Sequence, residues 1–182
     1  MRPLLELYSS AISASDIHVS ILYFTKAVEF VSQTVVRQQA TEAIRAKLLS
    51  PRALSPTADF IMELEPVVDE QRAFKKDREA IKHTVAICCE ATELSRIAPN
   101  FLTDLKKINR TSKEKERGDA LTKLGASLYS TRNSIAHAKA NYSPTGEECP
   151  AEDMVAFTSC IKVATQQVIR WYGSRPENER LT

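Results

Sequence analysis

Asp16 to Val35 reads DIHVSILYFTKAVEFVSQTV. Ile17, Ile21, Phe24, Val28, Val31 and Val35 fall at steps of 4, 3, 4, 3 and 4, one apolar stripe along a helix. Asp16 offers a carboxylate to the first free amides, so it is the expected N-cap. The stripe continues less regularly through Ile44 and Leu48 until Pro51 and Pro56 stop it. The spacing therefore predicts a helix from Asp16 to Leu49, about 50 Å long at 1.5 Å per residue. A helix of that length needs neighbours along its apolar side, which makes it the spine of a bundle.

Working outward, two more stripes repeat the period. Leu121, Leu124, Leu128, Thr131, Ile135 and Ala138 mark a helix expected to start at Asp119. Met154, Phe157, Ile161, Ala164, Val168 and Trp171 mark a long C-terminal helix, from near Pro150 to Gly173. Leu4–Ala14, Thr57–Ala73 with a break at Pro66, Lys75–Ile97 and Phe101–Ile108 read as further helices. Asn109–Gly118 and Asn141–Pro150 read as connections, and 175–182 as a frayed tail. The expectation is an all-α bundle of about five to six helices in a single domain over 1–182. A helical effector domain of a longer chain fits the same pattern.

Composition agrees. Four glycines in 182 residues is roughly 2%, against a usual ~7%. That argues against a Rossmann fold, a P-loop and a turn-rich β-sandwich. A chain of this length buries about 70% of its unfolded surface, so one core suffices without metal or disulfide staples. Cys88, Cys89, Cys149 and Cys160 form no C-x-x-C pair and read as reduced, mostly buried thiols of a cytoplasmic protein. No apolar run approaches the ~20 residues that span a membrane, and MRPLLELY lacks the apolar stretch of a signal peptide. A net charge of +2 excludes a generally basic nucleic-acid binder but leaves room for a local basic site.

The sequence contains no H-E-x-x-H, no G-x-S-x-G and no Gly-rich phosphate loop. Its three histidines, His18, His83 and His137, lack metal-ligand spacing, so no metal or other cofactor is expected. What stands out is RNSIAH, with Arg132, Asn133 and His137. A neutral imidazole can take the proton of a ribose 2′-hydroxyl. A guanidinium can hold the phosphate and its developing charge, and an amide can position either. At 100° per residue Asn133 and His137 share a face, about 40° apart, whereas Arg132 lies about 140° from His137. Both Asn133 and His137 fall off the core stripe, so the motif is expected to face solvent, a cleft or a second subunit. The bare spacing is weak, and Arg78 to His83, REAIKH, repeats it.

Context separates the two. RNSIAH stands on the penultimate long helix, before a polar loop and a terminal amphipathic helix. This placement, and the string LYSTRNSIAHAKANYSPTGEE around it, resembles the HEPN superfamily (higher eukaryotes and prokaryotes nucleotide-binding domains), helical bundles with an R-x4-6-H motif and often Asn, Asp or His after the Arg. The opening LYSSAISASDIHVSILYFTKAVEFV is similar to the first helices of some bacterial members, where an aromatic-rich stripe ends in a Glu, here Glu29. The resemblance implies a metal-independent endoribonuclease of toxin-antitoxin or antiviral-defence type. Two motifs would face each other across the cleft of a homodimer, with RNA as substrate and an antitoxin or a domain of a longer defence protein as further partner. Catalytic residues would be Arg132, Asn133 and His137. A subgroup regulated by nucleotidylation carries Tyr two residues after the His; Lys139 stands there, so that regulation is not implied. The alternative is a non-catalytic helical module for dimerisation or for nucleotide or RNA binding.

Weaker features remain. Lys139 and Tyr142 are candidates to flank a phosphate or stack on a base. Lys106, Lys107, Arg110, Lys113, Lys115, Arg117 and Lys123 form a basic cluster diluted by acids, either a solvated connection or an RNA-contacting rim. Glu29 is expected to pair with Lys26 three residues earlier. Arg78 and His83 are expected to be structural.

Overall fold

The computed structural model describes residues 1–65, 77–137 and 142–180, and among them every regular element is helical. In chain order these are α1 (Arg2–Ser13), α2 (Ile17–Leu48), α3 (Ala58–Met62), α4 (Asp77–Cys88), α5 (Ala91–Ser95), α6 (Thr103–Lys106), α7 (Glu114–Ala136) and α8 (Met154–Ser174). Short 3-10 turns occupy Pro51–Leu54, Ala151–Asp153 and Glu177–Glu179. The eight described α-helices exceed the expected five or six, in part because the stretch expected as one helix over Lys75–Ile97 forms two. No described helix is long and apolar enough to cross a membrane.

α2 is the spine, packed against α1, α4, α7 and α8. Asp16 caps it as expected, its Oδ1 accepting the His18 amide at 2.7 Å and the Val19 amide at 3.3 Å. Ile21, Phe24, Val28, Val31 and Val35 are all buried, as the stripe requires. Each contributes about 1.5–3 kcal/mol of burial, which is what fixes the rotation of α2 in the bundle. Ser20 Oγ donates to the Ala11 carbonyl at 2.9 Å and ties α1 to its root.

α4 and α7 approach most closely, and Gly125 is the reason. A Cβ there would lie 2.7 Å from Lys82 Cα and 3.2 Å from Lys82 N, closer than backbone atoms tolerate. This crossing brings the segment 78–83 alongside the helix that carries RNSIAH.

Several boundaries differ from expectation. The helix predicted over Lys75–Ile97 breaks at Cys89-Glu90. Gln167 of α8 explains this: its Oε1 accepts the Glu90 amide at 2.7 Å and its Nε2 donates to Glu93 at 2.7 Å. Glu90 then caps α5, accepting the Glu93 amide at 2.8 Å. α7 starts at Glu114 rather than Asp119, because Glu116 accepts the Lys113 amide at 2.9 Å and Arg117 bonds the Arg110 carbonyl at 2.8 Å. The predicted helix Thr57–Ala73 is represented by α3; positions 66–73 lie outside the described residues. At the C-terminus α8 runs through Gly173 to Ser174. Tyr172, edge-on to Phe30, is the fully buried ring, while Trp171 is half-buried beneath the Arg175 guanidinium. The expected frayed tail is docked as far as Arg180, whose guanidinium donates to the Gly173 and Arg175 carbonyls, each at 2.8 Å.

Candidate functional site

RNSIAH occupies the last turns of α7. Leu128 and Thr131 face inward and are buried, which turns Arg132 and Asn133 toward the margin of the core, both half-buried. Arg132 Nη1 donates to Asn133 Oδ1 at 2.8 Å. Its Nη2 lies 3.4 Å from Glu29 Oε1 on the spine helix. This corrects the expected Glu29–Lys26 pair: Lys26 instead sits over the Tyr23 ring, 5.6 Å from its centre. The pairing could not be read from one helix alone, because it joins positions 103 residues apart, counted from 29 to 132.

Glu29 is poorly solvated, with Oε1 buried and no hydrogen bond to it. Burial pushes its carboxyl above the usual range; the positive charge of Arg132 opposes this, Asp77 adds to it and Lys26 opposes it. The guanidinium is therefore held from two sides, by a neutral amide oxygen and a poorly solvated carboxylate, and among the described residues part of its donor fork has no acceptor.

His137 is the C-cap of α7, exposed, with its amide bonded to the Asn133 carbonyl at 2.9 Å. Its imidazole makes no hydrogen bond with any described residue. Arg132 and Asn133 are thus brought together, whereas His137 stands exposed at the helix end. Lys139 lies outside the described residues.

Tyr142 begins a strap, residues 142–150, that folds back over α7. Its hydroxyl donates to Glu148 and lies 3.2 Å from the Ser130 carbonyl. Burial and the Glu148 carboxylate push its ionisation up to about 12, so it is a positioned donor rather than a proton carrier. Glu148 also accepts the Thr145 amide at 2.8 Å and the Gly146 amide at 2.9 Å. Gly146 has φ of 82°, the left-handed turn that such a tight acceptor loop needs. Cys149 closes the strap, its amide donating to Thr131 Oγ1 at 2.8 Å.

The second R-x4-H pair is built differently. Arg78 Nη2 contacts both Glu147 oxygens, at 2.7 and 2.8 Å, and Glu147 also accepts from Ser130 Oγ at 3.1 Å. Arg78 therefore clamps the strap to α4. The hydrogen bond from Arg78 holds the Glu147 carboxyl below its ordinary range, against burial. His83 is half-buried, and burial lowers its proton affinity.

Among the described residues no three His, Cys, Asp or Glu side chains converge. Comparison with protein-family models, curated proteins and solved structures finds no match to the chain.

Proposed function

We propose that the chain is a metal-independent endoribonuclease of toxin or defence type, cutting RNA through the 2′-hydroxyl. The observation that carries this reading is the placement of Arg132: half-buried and held by Asn133 and Glu29, one turn before an exposed imidazole. A guanidinium fixed in a partly dry site is ready to meet a phosphate without reorganising. His137 takes the proton of the 2′-hydroxyl. The 2′ oxygen attacks phosphorus, the P–O5′ bond breaks, and the 5′ oxygen takes a proton from water while the His137 imidazolium returns its own to solvent. The products are a 2′,3′-cyclic phosphate and a 5′-hydroxyl. Arg132 and Asn133 hold the phosphate in line.

Among the described residues one copy carries this half-site at the margin of its core, with His137 exposed. The reading therefore includes a two-fold homodimer with the motif ends of α7 near the axis, so that two half-sites make one cleft. Four free cysteines fit a reducing compartment such as the cytoplasm. An antitoxin or partner domain is the expected restraint on such an activity.

The test is cleavage of RNA by purified protein in EDTA. The reading expects cuts with 2′,3′-cyclic ends and resistance of a substrate carrying 2′-deoxyribose at the scissile position. Loss of activity in EDTA, or normal cutting of the deoxy substrate, contradicts the 2′-hydroxyl route. Protein that binds RNA yet never cuts it is the non-catalytic module instead. Sedimentation showing only monomer at tens of micromolar, roughly the range of a modest interface, contradicts the dimer.

A further inference from the structure

The basic cluster seen in the sequence does not act as one patch. Lys123 pairs with Asp104, and Lys106 donates to Asn100. Arg110 and Arg117 instead converge with Arg96, which the sequence had not grouped with them. The three line a hollow of about 440 Å³, together with Glu90, Thr92 and Glu93. They come from three separate elements: the end of α5, the connection after α6 and the first turns of α7.

Two observations indicate that this hollow takes an anion. None of the three guanidinium groups forms an ion pair with a carboxylate among the described residues. Two acids share the hollow: Glu90 accepts the Glu93 amide and lies in the field of Arg117, and Glu93 accepts from Gln167 Nε2, so they offset two of the three positive charges and leave the hollow net positive. Arg117 is also fixed in place, Nη2 donating to the Arg110 carbonyl at 2.8 Å, while its Nε is buried with no acceptor. A donor left without an acceptor disfavours the empty state, and an incoming oxygen would relieve it.

We infer that Arg96, Arg110 and Arg117 form a phosphate-binding subsite for the RNA strand at a distance from the cut. This rests on the ribonuclease reading for the identity of the strand. Position favours RNA over a free anion. Arg117 and Arg132 lie on the same helix, 15 residues apart, and at 1.5 Å per residue the separation is about 22 Å. A single phosphate cannot bridge that span; a short run of nucleotides can. Such contacts position the strand and add affinity without reading its bases.

The experiment uses the full chain carrying His137→Ala, so that substrate survives, and follows a labelled single-stranded RNA of about twelve nucleotides, within the usual range of single-strand sites, by fluorescence anisotropy. Arg96→Gln with Arg110→Gln removes two charges and leaves the Arg117 tie to the backbone intact. Affinity should fall about tenfold, and the slope of log affinity against log salt should shrink by about 0.7 per lost contact. A dinucleotide, too short to span motif and hollow at once, should bind the parent far more weakly than the twelve-nucleotide strand. Unchanged RNA affinity and salt slope overturn the inference, as does a parent that binds no RNA. Inorganic phosphate bound by the parent and lost in the variant, with RNA affinity unmoved, reassigns the hollow to a free anion and also overturns it. If Arg96 and Arg110 matter for binding while the unsubstituted protein never cleaves, the subsite stands and the nuclease reading falls. If cleavage is robust and binding is indifferent to both arginines, the reverse holds.

Discussion

Arg78–His83 and Arg132–His137 have the same spacing, and the folded chain uses them for different ends. Arg78 is spent on both oxygens of Glu147 and on Glu79, and its histidine is half-buried. Arg132 meets Glu29 only at 3.4 Å and shares one hydrogen bond with Asn133, and its histidine stands exposed at a helix end. The lesson is about commitment. A guanidinium engaged by two carboxylates holds structure; one pinned chiefly by a neutral amide keeps charge to offer a phosphate.

The sharpest way to break the comparison is to remove each arginine in turn. Arg132→Ala should lower cleavage on the order of 10²–10³-fold with the fold retained, as expected for loss of a donor to developing charge, and its melting temperature should drop at neutral pH because Glu29 loses its partner. Arg132→Lys should recover only part, since an ammonium lacks the two-pronged fork. Equal activity of Arg132→Ala and parent would remove the motif from the account.

Gly125 tests whether the two segments depend on the same close crossing. Gly125→Ala places a methyl against the Lys82 backbone. It should destabilise by about 1–3 kcal/mol, the usual range for overpacking. Thermal denaturation indistinguishable from parent would show that the crossing has slack.

Glu29→Gln separates stability from positioning. The folded-state carboxyl titrates above its usual value of 4.5, so its ionised form opposes folding, and stability is lost as pH rises through that range. The glutamine variant should therefore melt at or above the parent temperature at neutral pH. Cleavage should fall about tenfold as Arg132 loses its second anchor, a change of about 1.4 kcal/mol. A lower melting temperature with unchanged activity would reverse both assignments.

The smallest effect is at the clamp. Glu147 titrates below its usual value, so the stability it contributes is present above pH 4.5 and lost as pH falls through its folded-state range. Both partners are more than a third exposed, which limits the pair to about 1 kcal/mol or less. Glu147→Gln should lower the melting temperature at neutral pH by about 2–4 °C at most and flatten the acid limb of the stability curve. An acid limb as steep as that of the parent would show that Glu147 is not its source.

Much of this was legible in the order of residues. The stripe from Ile17 to Val35 defined the spine, and Asp16 its start, because both depend only on helical period and local capping. The positions of Leu128 and Thr131 were enough to turn Asn133 and His137 off the core. What was not legible is long-range. Gln167 breaks a helix 77 residues away, counted from Glu90 to Gln167. Glu29 pairs across two helices rather than along one, and Arg180, in the stretch read as a frayed tail, folds back on the end of α8. The hollow of Arg96, Arg110 and Arg117 is legible only once Lys123 and Lys106 are seen to be occupied elsewhere.

The most direct test puts parent, His137→Ala and His83→Ala side by side on one RNA in EDTA, each checked for fold by circular dichroism. His137→Ala should cut 10²–10⁴-fold more slowly, the range for a lost acid–base group, while His83→Ala stays within a few-fold of parent. Slowing of both histidine variants to the same degree, or of His83→Ala alone, would contradict the assignment of chemistry to RNSIAH.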